Sequence, residues 1–208
     1  MLRRIQLSFF LAAFAALAVP VGAQETDYSP SKEIESPSPD GRFAFLASYT
    51  AEKRTLDLIE KDSGKVLLRV AESEEGTNRL SSEALWAPHS KRVALWVSHY
   101  RRSAELSVYF REDDTFREIK LPALPAAKLP KKVENDKKHF WHVASSDWAT
   151  PVRWLKDGSL VVESETVIDG GGNTATATRT TVLGFDRSGK ARIVKSTQKV
   201  TVDIEPGS

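Results

Sequence analysis

The sequence predicts a mostly β protein made of three antiparallel, four-stranded, blade-like repeats, with a curved β-sandwich as the alternative. Two observations carry this prediction. An order of turn, strand, strand, turn and strand recurs three times, and the strand after each first turn is apolar at successive positions. A strand with one wet face would alternate apolar and polar residues. We therefore expect these strands to be covered on both sides.

Each repeat begins with a tight polar turn, at residues 38–42, 86–92 and 154–159. Proline presets φ early in such a turn, aspartate accepts hydrogen bonds from nearby backbone N–H groups, and glycine tolerates a positive φ. The second copy has His-Ser in place of Asp-Gly, and the third copy lacks the proline. We expect these two turns to be held less rigidly than the first.

A second turn follows in each repeat, at residues 62–64, 112–114 and 186–189. Strands are predicted on both sides of each second turn. The third repeat is longer because it contains a run of three glycines at 170–172, which marks an extended hairpin tip. Residues 199–202 are expected to add one more strand.

The first turns resemble the TolB-type β-propeller repeat, a WD40-like repeat whose signature is Trp-Ser-Pro-Asp-Gly-Lys followed by an apolar strand. Residues 38–42 match it well, 86–92 match with two changes, and 154–158 keep the tryptophan, aspartate and glycine. The resemblance covers most of residues 32–195. It implies four-stranded antiparallel blades whose motif residues build turns, and it transfers no catalytic residue.

The number of repeats leaves the assembly open. Propellers typically close with about four to eight blades. Three repeats would form a partial or open propeller, complete a ring by dimerisation, or pack as the curved sandwich. Because an open sheet edge invites pairing with another chain, a homodimer is one expected assembly.

The first 23 residues have the pattern of a secretory signal peptide. A positively charged start precedes an apolar stretch at 7–19, and the small residues at 21–23 fit a cleavage site. The apolar stretch is shorter than the ~20 residues that span a bilayer, so no transmembrane segment is expected in the mature chain. The prediction is a periplasmic or secreted protein with a flexible leader at 24–31 and one β-repeat domain at 32–208.

Composition argues against several functions. The chain has 30 Lys+Arg and 28 Asp+Glu, and two arginines leave with the predicted signal, which leaves 28 of each sign. Balanced charge gives no global attraction to nucleic acid or to an anionic membrane. The chain has no cysteine and therefore no disulfide. No nucleophile elbow, phosphate-binding loop or metalloprotease helix is recognisable, and no cofactor is expected.

Residues 122–150 are the least repeat-like and are interpreted as an inserted segment, since long connections in compact domains are often functional. Its aromatic and histidine residues, with a predicted hairpin tip nearby, are the candidate binding residues: His139, Phe140, Trp141, His142, Trp148, Tyr100, Arg101 and Arg102. The alternative is that the aromatic residues pack on the repeats while the charged residues stay in solvent.

Two weaker patterns suggest chemistry. His139 and His142 could share a helical face and bind a metal, but no further ligands are evident, so no metal site is predicted. Glu163 and Glu165 lie two residues apart on one strand and face the same side. A carboxylate pair can hydrolyse glycosides, and the same alternation is typical of a solvent-facing strand.

The favoured function is an exported, non-enzymatic module that binds a protein partner or ligand through residues 122–150 and the loop near Tyr100. One alternative is a cell-envelope hydrolase that uses Glu163 and Glu165. Another is a structural subunit that completes a ring by dimerisation. Resemblance of fold does not choose among them, because propellers host many unrelated functions.

Overall fold

The computed structural model describes residues 30–73, 80–100 and 103–205. The predicted signal peptide, most of the predicted leader, Arg101 and Arg102 lie outside the described residues. Within the described ranges the chain forms three antiparallel sheets of four strands each, one for each repeat. The predicted mostly β fold with three four-stranded antiparallel sheets is therefore confirmed.

The strands follow one another in order within each sheet. The first sheet contains β1 (Ser31–Glu35), β2 (Phe43–Tyr49), β3 (Arg54–Glu60) and β4 (Val66–Glu72). The second contains β5 (Ser81–Trp86), β6 (Arg92–Tyr100), β7 (Ser103–Glu112) and β8 (Thr115–Glu118). The third contains β9 (His142–Trp154), β10 (Leu160–Gly170), β11 (Asn173–Phe185) and β12 (Ala191–Asp203). A short helix, α1 (Lys131–Glu134), lies between the second and third sheets.

The three first turns share one backbone geometry. In each, a residue with positive φ donates its N–H to the carbonyl three positions earlier, over 2.9, 2.9 and 3.0 Å. These residues are Gly41, Ser90 and Gly158, with φ of 73°, 58° and 82°. The second turns also contain one positive-φ residue each, at Gly64, Asp113 and Gly189. The repeats that the sequence indicates are thus repeats of structure.

The second sheet is packed on both faces. On one face, Val93 and Leu95 of β6 join a buried cluster with Phe43 and Phe45 of the first sheet. On the other face, Ala94 belongs to a cluster shared with the third sheet. This confirms that β6, apolar at successive positions, is covered on both sides.

Tryptophans at the ends of β5 and β9 repeat one contact between sheets. Trp86 donates its indole N–H to the carbonyl of Ser36 over 2.8 Å. Trp154 donates to the carbonyl of Leu85 over 2.9 Å. Leu85 precedes the first turn of its repeat at the same position as Ser36 does in the first repeat. Each sheet is therefore tied to the preceding one by an equivalent hydrogen bond.

The connection from β8 to β9 covers part of the third sheet. The third sheet has strands of up to 13 residues, whereas no strand of the second exceeds 10. Its excess length would leave an apolar surface exposed. Ala127, Leu129 and Phe140 of the connection pack on this surface, against Ile168 and Ala177.

Polar contacts fasten the connection to the sheet. Arg179 donates to the carbonyl of Ala126 over 2.7 Å, and Thr166 donates to the carbonyl of Ala127 over 2.8 Å. The Gln198 side chain both accepts from and donates to the backbone of Lys128, over 3.1 and 2.9 Å. We call residues 119–141 the cover and the face they contact the inner face of the third sheet.

Two sequence expectations change in detail. Residues 142–150, which the sequence assigned to the inserted segment, form the first part of β9. Residues 199–202 continue β12 and add no separate strand. Both differences have one cause: the strands of the third sheet are much longer than the repeat pattern alone indicates.

Candidate functional site

The predicted binding residues separate into buried and accessible groups. Phe140 is 2% exposed and belongs to the core beneath the cover. His139 is held by Asp136, with its Nδ1 2.8 Å from a carboxylate oxygen, and this hydrogen bond lowers the pKa of Asp136. Trp141 and His142 face solvent. Phe140 therefore packs in the core, as the alternative interpretation of this segment expects. Trp141 and His142 are accessible to a binding partner.

The remaining candidates lie apart from this group. Tyr100 is the last residue of β6, and Arg101 and Arg102 fall outside the described residues. Trp148 is half-buried in the middle of β9. Tyr100 therefore belongs to the second sheet, whereas residues 139–141 lie in the connection and His142 begins β9 of the third sheet.

Trp141 lies on the glycine hairpin between β10 and β11. A Cβ placed on Gly170 would be 2.5 Å from Cε3 of the indole, and one placed on Gly171 would be 2.9 Å from Cη2. The backbone N–H of Trp141 donates to the backbone carbonyl of Asp169 over 2.9 Å. The ring is nevertheless 62% exposed. The glycine run, interpreted from the sequence only as a hairpin tip, is the seat of this ring.

Polar groups surround the ring. His142 Nδ1 lies 2.9 Å from an oxygen of Asp169, with both side chains substantially exposed. Together these residues line a shallow depression of about 490 Å³, which we call the tip platform: Trp141, His142, Asp169, Gly170, Gly171, Gly172, Asn173 and Thr174. The platform offers one apolar ring with hydrogen-bonding groups at its rim, the usual make-up of a recognition site.

The two histidines have different partners. His139 bonds Asp136 in the cover, whereas His142 bonds Asp169 across β9 and β10. Across the ranges that the structure describes, no group of three or more histidine, aspartate or glutamate residues is arranged to hold a metal ion.

The opposite face of the third sheet, here called the outer face, contains Glu163 and Glu165. Glu165 lies between Trp148 on β9 and Thr178 on β11, and Glu163 lies between Thr150 and Thr180. These side chains, apart from Thr180, line a depression of about 250 Å³. Sequence reasoning paired the two glutamates correctly on one face, but it assigned Trp148 to a separate segment.

The two glutamates differ in their hydrogen bonds. Glu163 accepts a hydrogen bond from Thr180 over 3.1 Å, while its backbone carbonyl accepts one from Thr150 over 3.3 Å. Glycosidases place two carboxyl groups on either side of the scissile bond. Here both carboxylates project from one face of β10, where Glu163 is bonded to Thr180 and Glu165 is exposed.

A third depression, of about 380 Å³, lies between the first turns of the second and third repeats and is lined by Pro88, His89, Trp154 and Leu155, among others. The equivalent place between the first two repeats is bridged, because Ser90 accepts a hydrogen bond from the N–H of Asp40 over 3.0 Å. Gly158 occupies the position of Ser90 and has no side chain to make that bridge.

Sequence reasoning missed this depression. The sequence feature that could have indicated it is the change from Ser90 in the second first turn to Gly158 at the same position of the third. Arg92 also requires the glycine, since it donates to the Gly158 carbonyl over 2.8 Å and a Cβ there would lie 2.6 Å from its Nη1. Burial and the nearby cations Arg92 and Lys91 lower the pKa of His89.

No protein-family model matches the chain, and no curated protein is significantly similar to it. Among the residues that the structure describes, no helix has the length and apolar character needed to cross a membrane.

Proposed function

We propose that this protein is an exported, non-enzymatic binding module on a scaffold of three propeller-type blades, and that it captures a protein partner through the tip platform. Three features support the scaffold part of the proposal. The sheets are four-stranded meanders, their first turns share one hydrogen-bonding pattern, and equivalent tryptophans link consecutive sheets. The signal-like N-terminus supports export.

The exposed, seated ring of Trp141 is the observation that carries the proposed binding function. Large aromatic side chains dominate the energetics of protein interfaces. The ring rests on Gly170 and Gly171, and its backbone is bonded to Asp169. A side chain that is already ordered loses little conformational entropy when a partner binds. Trp141 is therefore suited to act as an anchor for an apolar pocket or loop of another protein.

Charge on the outer face favours this function over ring completion by dimerisation. A second copy packed there would have to bury Glu163, Glu165 and Lys199, and the desolvation of such groups is costly unless each is well paired. At the tip platform the exposed ring of Trp141 is accompanied by ionisable side chains that are already paired, His142 and Asp169.

The test is capture by mature protein immobilised at its C-terminus. Each of three immobilised proteins is incubated with an extract of the cell envelope of the source cell: the wild type, Trp141→Ala and Val143→Ala. Bound proteins are then photo-crosslinked, and the amounts captured by the three are compared. Val143 is a matched control, because it is 61% exposed and lies two residues away. A captured protein should be retained by Val143→Ala and reduced at least ~10-fold by Trp141→Ala, in line with the loss of an interface anchor.

Capture that is unchanged in Trp141→Ala would refute the tip platform as the binding surface. Complete absence of a specific crosslink to the wild type would refute the protein-binding function itself. Circular dichroism of both variants establishes that the β-sheets are intact in each comparison.

A further inference from the structure

The outer face of the third sheet is a regular array of polar side chains. Strand register places four residues side by side in each row across β9, β10, β11 and β12. Two rows are central: Trp148, Glu165, Thr178 and Lys199, then Thr150, Glu163, Thr180 and Thr197. Because alternate residues share a face, the rows continue in both directions. The face therefore presents an aromatic ring, carboxylates and hydroxyls in a fixed pattern.

These groups match the chemistry of a sugar ring. A pyranose has an apolar C–H face that packs on an indole ring, and hydroxyl groups around its edge. Carboxylates accept hydrogen bonds from hydroxyls, and such charge-assisted bonds are stronger than neutral ones. Threonine hydroxyls both donate and accept. Trp148, Glu165 and Thr178 line one depression and would supply all three kinds of contact.

Glu165 is prepared for such a ligand. Its side chain is exposed and, within the described ranges, forms no ion pair or side-chain hydrogen bond. Glu163 differs because it already accepts from Thr180. A ligand hydroxyl could therefore bond Glu165 without displacing an existing protein contact.

Charge on the face favours an uncharged ligand. Acidic and basic side chains are interspersed over the rows: Glu163, Glu165, Asp169 and Asp203, with Arg153, Lys195 and Lys199. A polyanion would meet the carboxylates, and a polycation would meet the lysines and the arginine. A neutral polyhydroxylated chain meets no such opposition.

The dimensions favour a chain of sugars over a single one. Rows on one face are ~7 Å apart along the strands, and neighbouring strands are ~4.8 Å apart. Past the Trp148 row, Thr176 lies beside Val167, and Thr174 lies beside Asp169 in the following row. The depression at Trp148 has room for one ring, about 250 Å³, and adjacent rows offer hydroxyls to its neighbours.

The geometry points to a saccharide-binding site on the outer face, in which Trp148 stacks on a sugar ring and Glu165 and Thr178 bind its hydroxyls. The ligand class is a neutral oligosaccharide chain. This site lies on the face opposite the cover. Its contact residues Trp148, Glu165 and Thr178 are not part of the tip platform, although Asp169 and Thr174 at the far end of the same face are.

Isothermal titration calorimetry of the mature protein with cellohexaose, chitohexaose and maltohexaose tests this site. At least one should bind the wild type. Trp148→Ala should weaken that binding at least ~10-fold, and Glu165→Gln, which keeps the shape but removes the charge, should weaken it several-fold. Trp141→Ala should leave it unchanged, since that residue belongs to the tip platform.

Failure of all three hexasaccharides to bind at millimolar concentration would overturn the assignment. So would binding that survives both Trp148→Ala and Glu165→Gln, or binding that is lost in Trp141→Ala. A hexalysine peptide and polyuridylic acid serve as charged probes. If either probe binds at Trp148 more tightly than the hexasaccharides do, the ligand of this site is charged and the assignment of a neutral saccharide is overturned. Circular dichroism checks that Trp148→Ala is folded. Thr178→Val is a further variant, which removes one hydroxyl of the site and keeps the size of the side chain.

Discussion

The two faces of the third sheet differ in composition and in burial. The inner face is mainly apolar, with a few polar side chains bonded to the cover, and it is covered by the second sheet and residues 119–141. The outer face has threonines, charged residues and Trp148. Strand β11 shows the contrast directly, because Ala175 and Ala177 are fully buried while Thr176 and Thr178 lie on the other face. Stability should therefore depend mainly on the inner face, and the inferred saccharide binding on the outer face.

The strongest test of this contrast removes a buried ring from the cover. Phe140→Ala should lower the free energy of unfolding by ~3–5 kcal/mol, because it deletes a fully buried aromatic and leaves a cavity. Urea unfolding followed by circular dichroism measures the loss. Val143→Ala is the exposed control, and its effect should stay within ~0.5 kcal/mol. Equal effects of the two changes would contradict the burial of the cover.

The next effect concerns the glycine seat of Trp141. Gly170→Ala should cost ~1–3 kcal/mol, because its Cβ would lie 2.5 Å from the indole and 2.6 Å from the carbonyl oxygen of His139. Part of that cost should vanish in Gly170→Ala combined with Trp141→Ala, since only the backbone clash remains. Additive unfolding energies in this double-mutant cycle would contradict the seating of the ring.

Acid should weaken the contact between Asp136 and His139 in the cover. A hydrogen bond from His139 lowers the pKa of Asp136 below its ordinary 3.8. The unfolded state then binds more protons than the folded state between these two pKa values. The stability from this pair is present above pH 3.8 and is lost as the pH falls through the lowered pKa.

Urea unfolding at pH 5 and pH 3 measures this effect. Asp136→Asn should lose less stability between the two pH values than the wild type does, because it has no carboxyl group to protonate at this position. An equal loss in both proteins would show that the Asp136 and His139 pair does not contribute.

The smallest stability effect is expected on the outer face. Glu165→Gln should leave the free energy of unfolding within ~0.5 kcal/mol of the wild type, since the residue is exposed and forms no ion pair among the described residues. Thermal unfolding at neutral pH checks this. A loss above ~1 kcal/mol would indicate a structural role in place of a binding one.

The turn chemistry made most of the fold predictable. Positive φ, proline and aspartate act within a few residues, so the turns around Gly41 and Ser90 could be located from local sequence alone. Strand length was harder to predict. The first part of β9 looked like the end of an insertion, because it pairs with the far end of β10, where His142 lies opposite Asp169, 27 residues away along the chain.

The candidate site was predictable only in part. Exposed aromatics near residue 140 were identified, but Phe140 and Trp141 are adjacent and only the structure shows that one is buried and the other exposed. Whether a side chain is covered depends on what packs against it. The glycines at 170–172 gave a signal for the tip, and their role as a seat for Trp141 required the fold.

The unfolding free energy of Trp148→Ala, measured at two protein concentrations about 20-fold apart, tests the open outer face most directly. The account predicts that Trp148→Ala costs less than Phe140→Ala, because Trp148 is only partly buried whereas Phe140 is fully buried. It also predicts that the loss is the same at both concentrations. A loss as large as that of Phe140→Ala, or wild-type stability that rises with concentration, would contradict it and show that another copy of the chain covers this face.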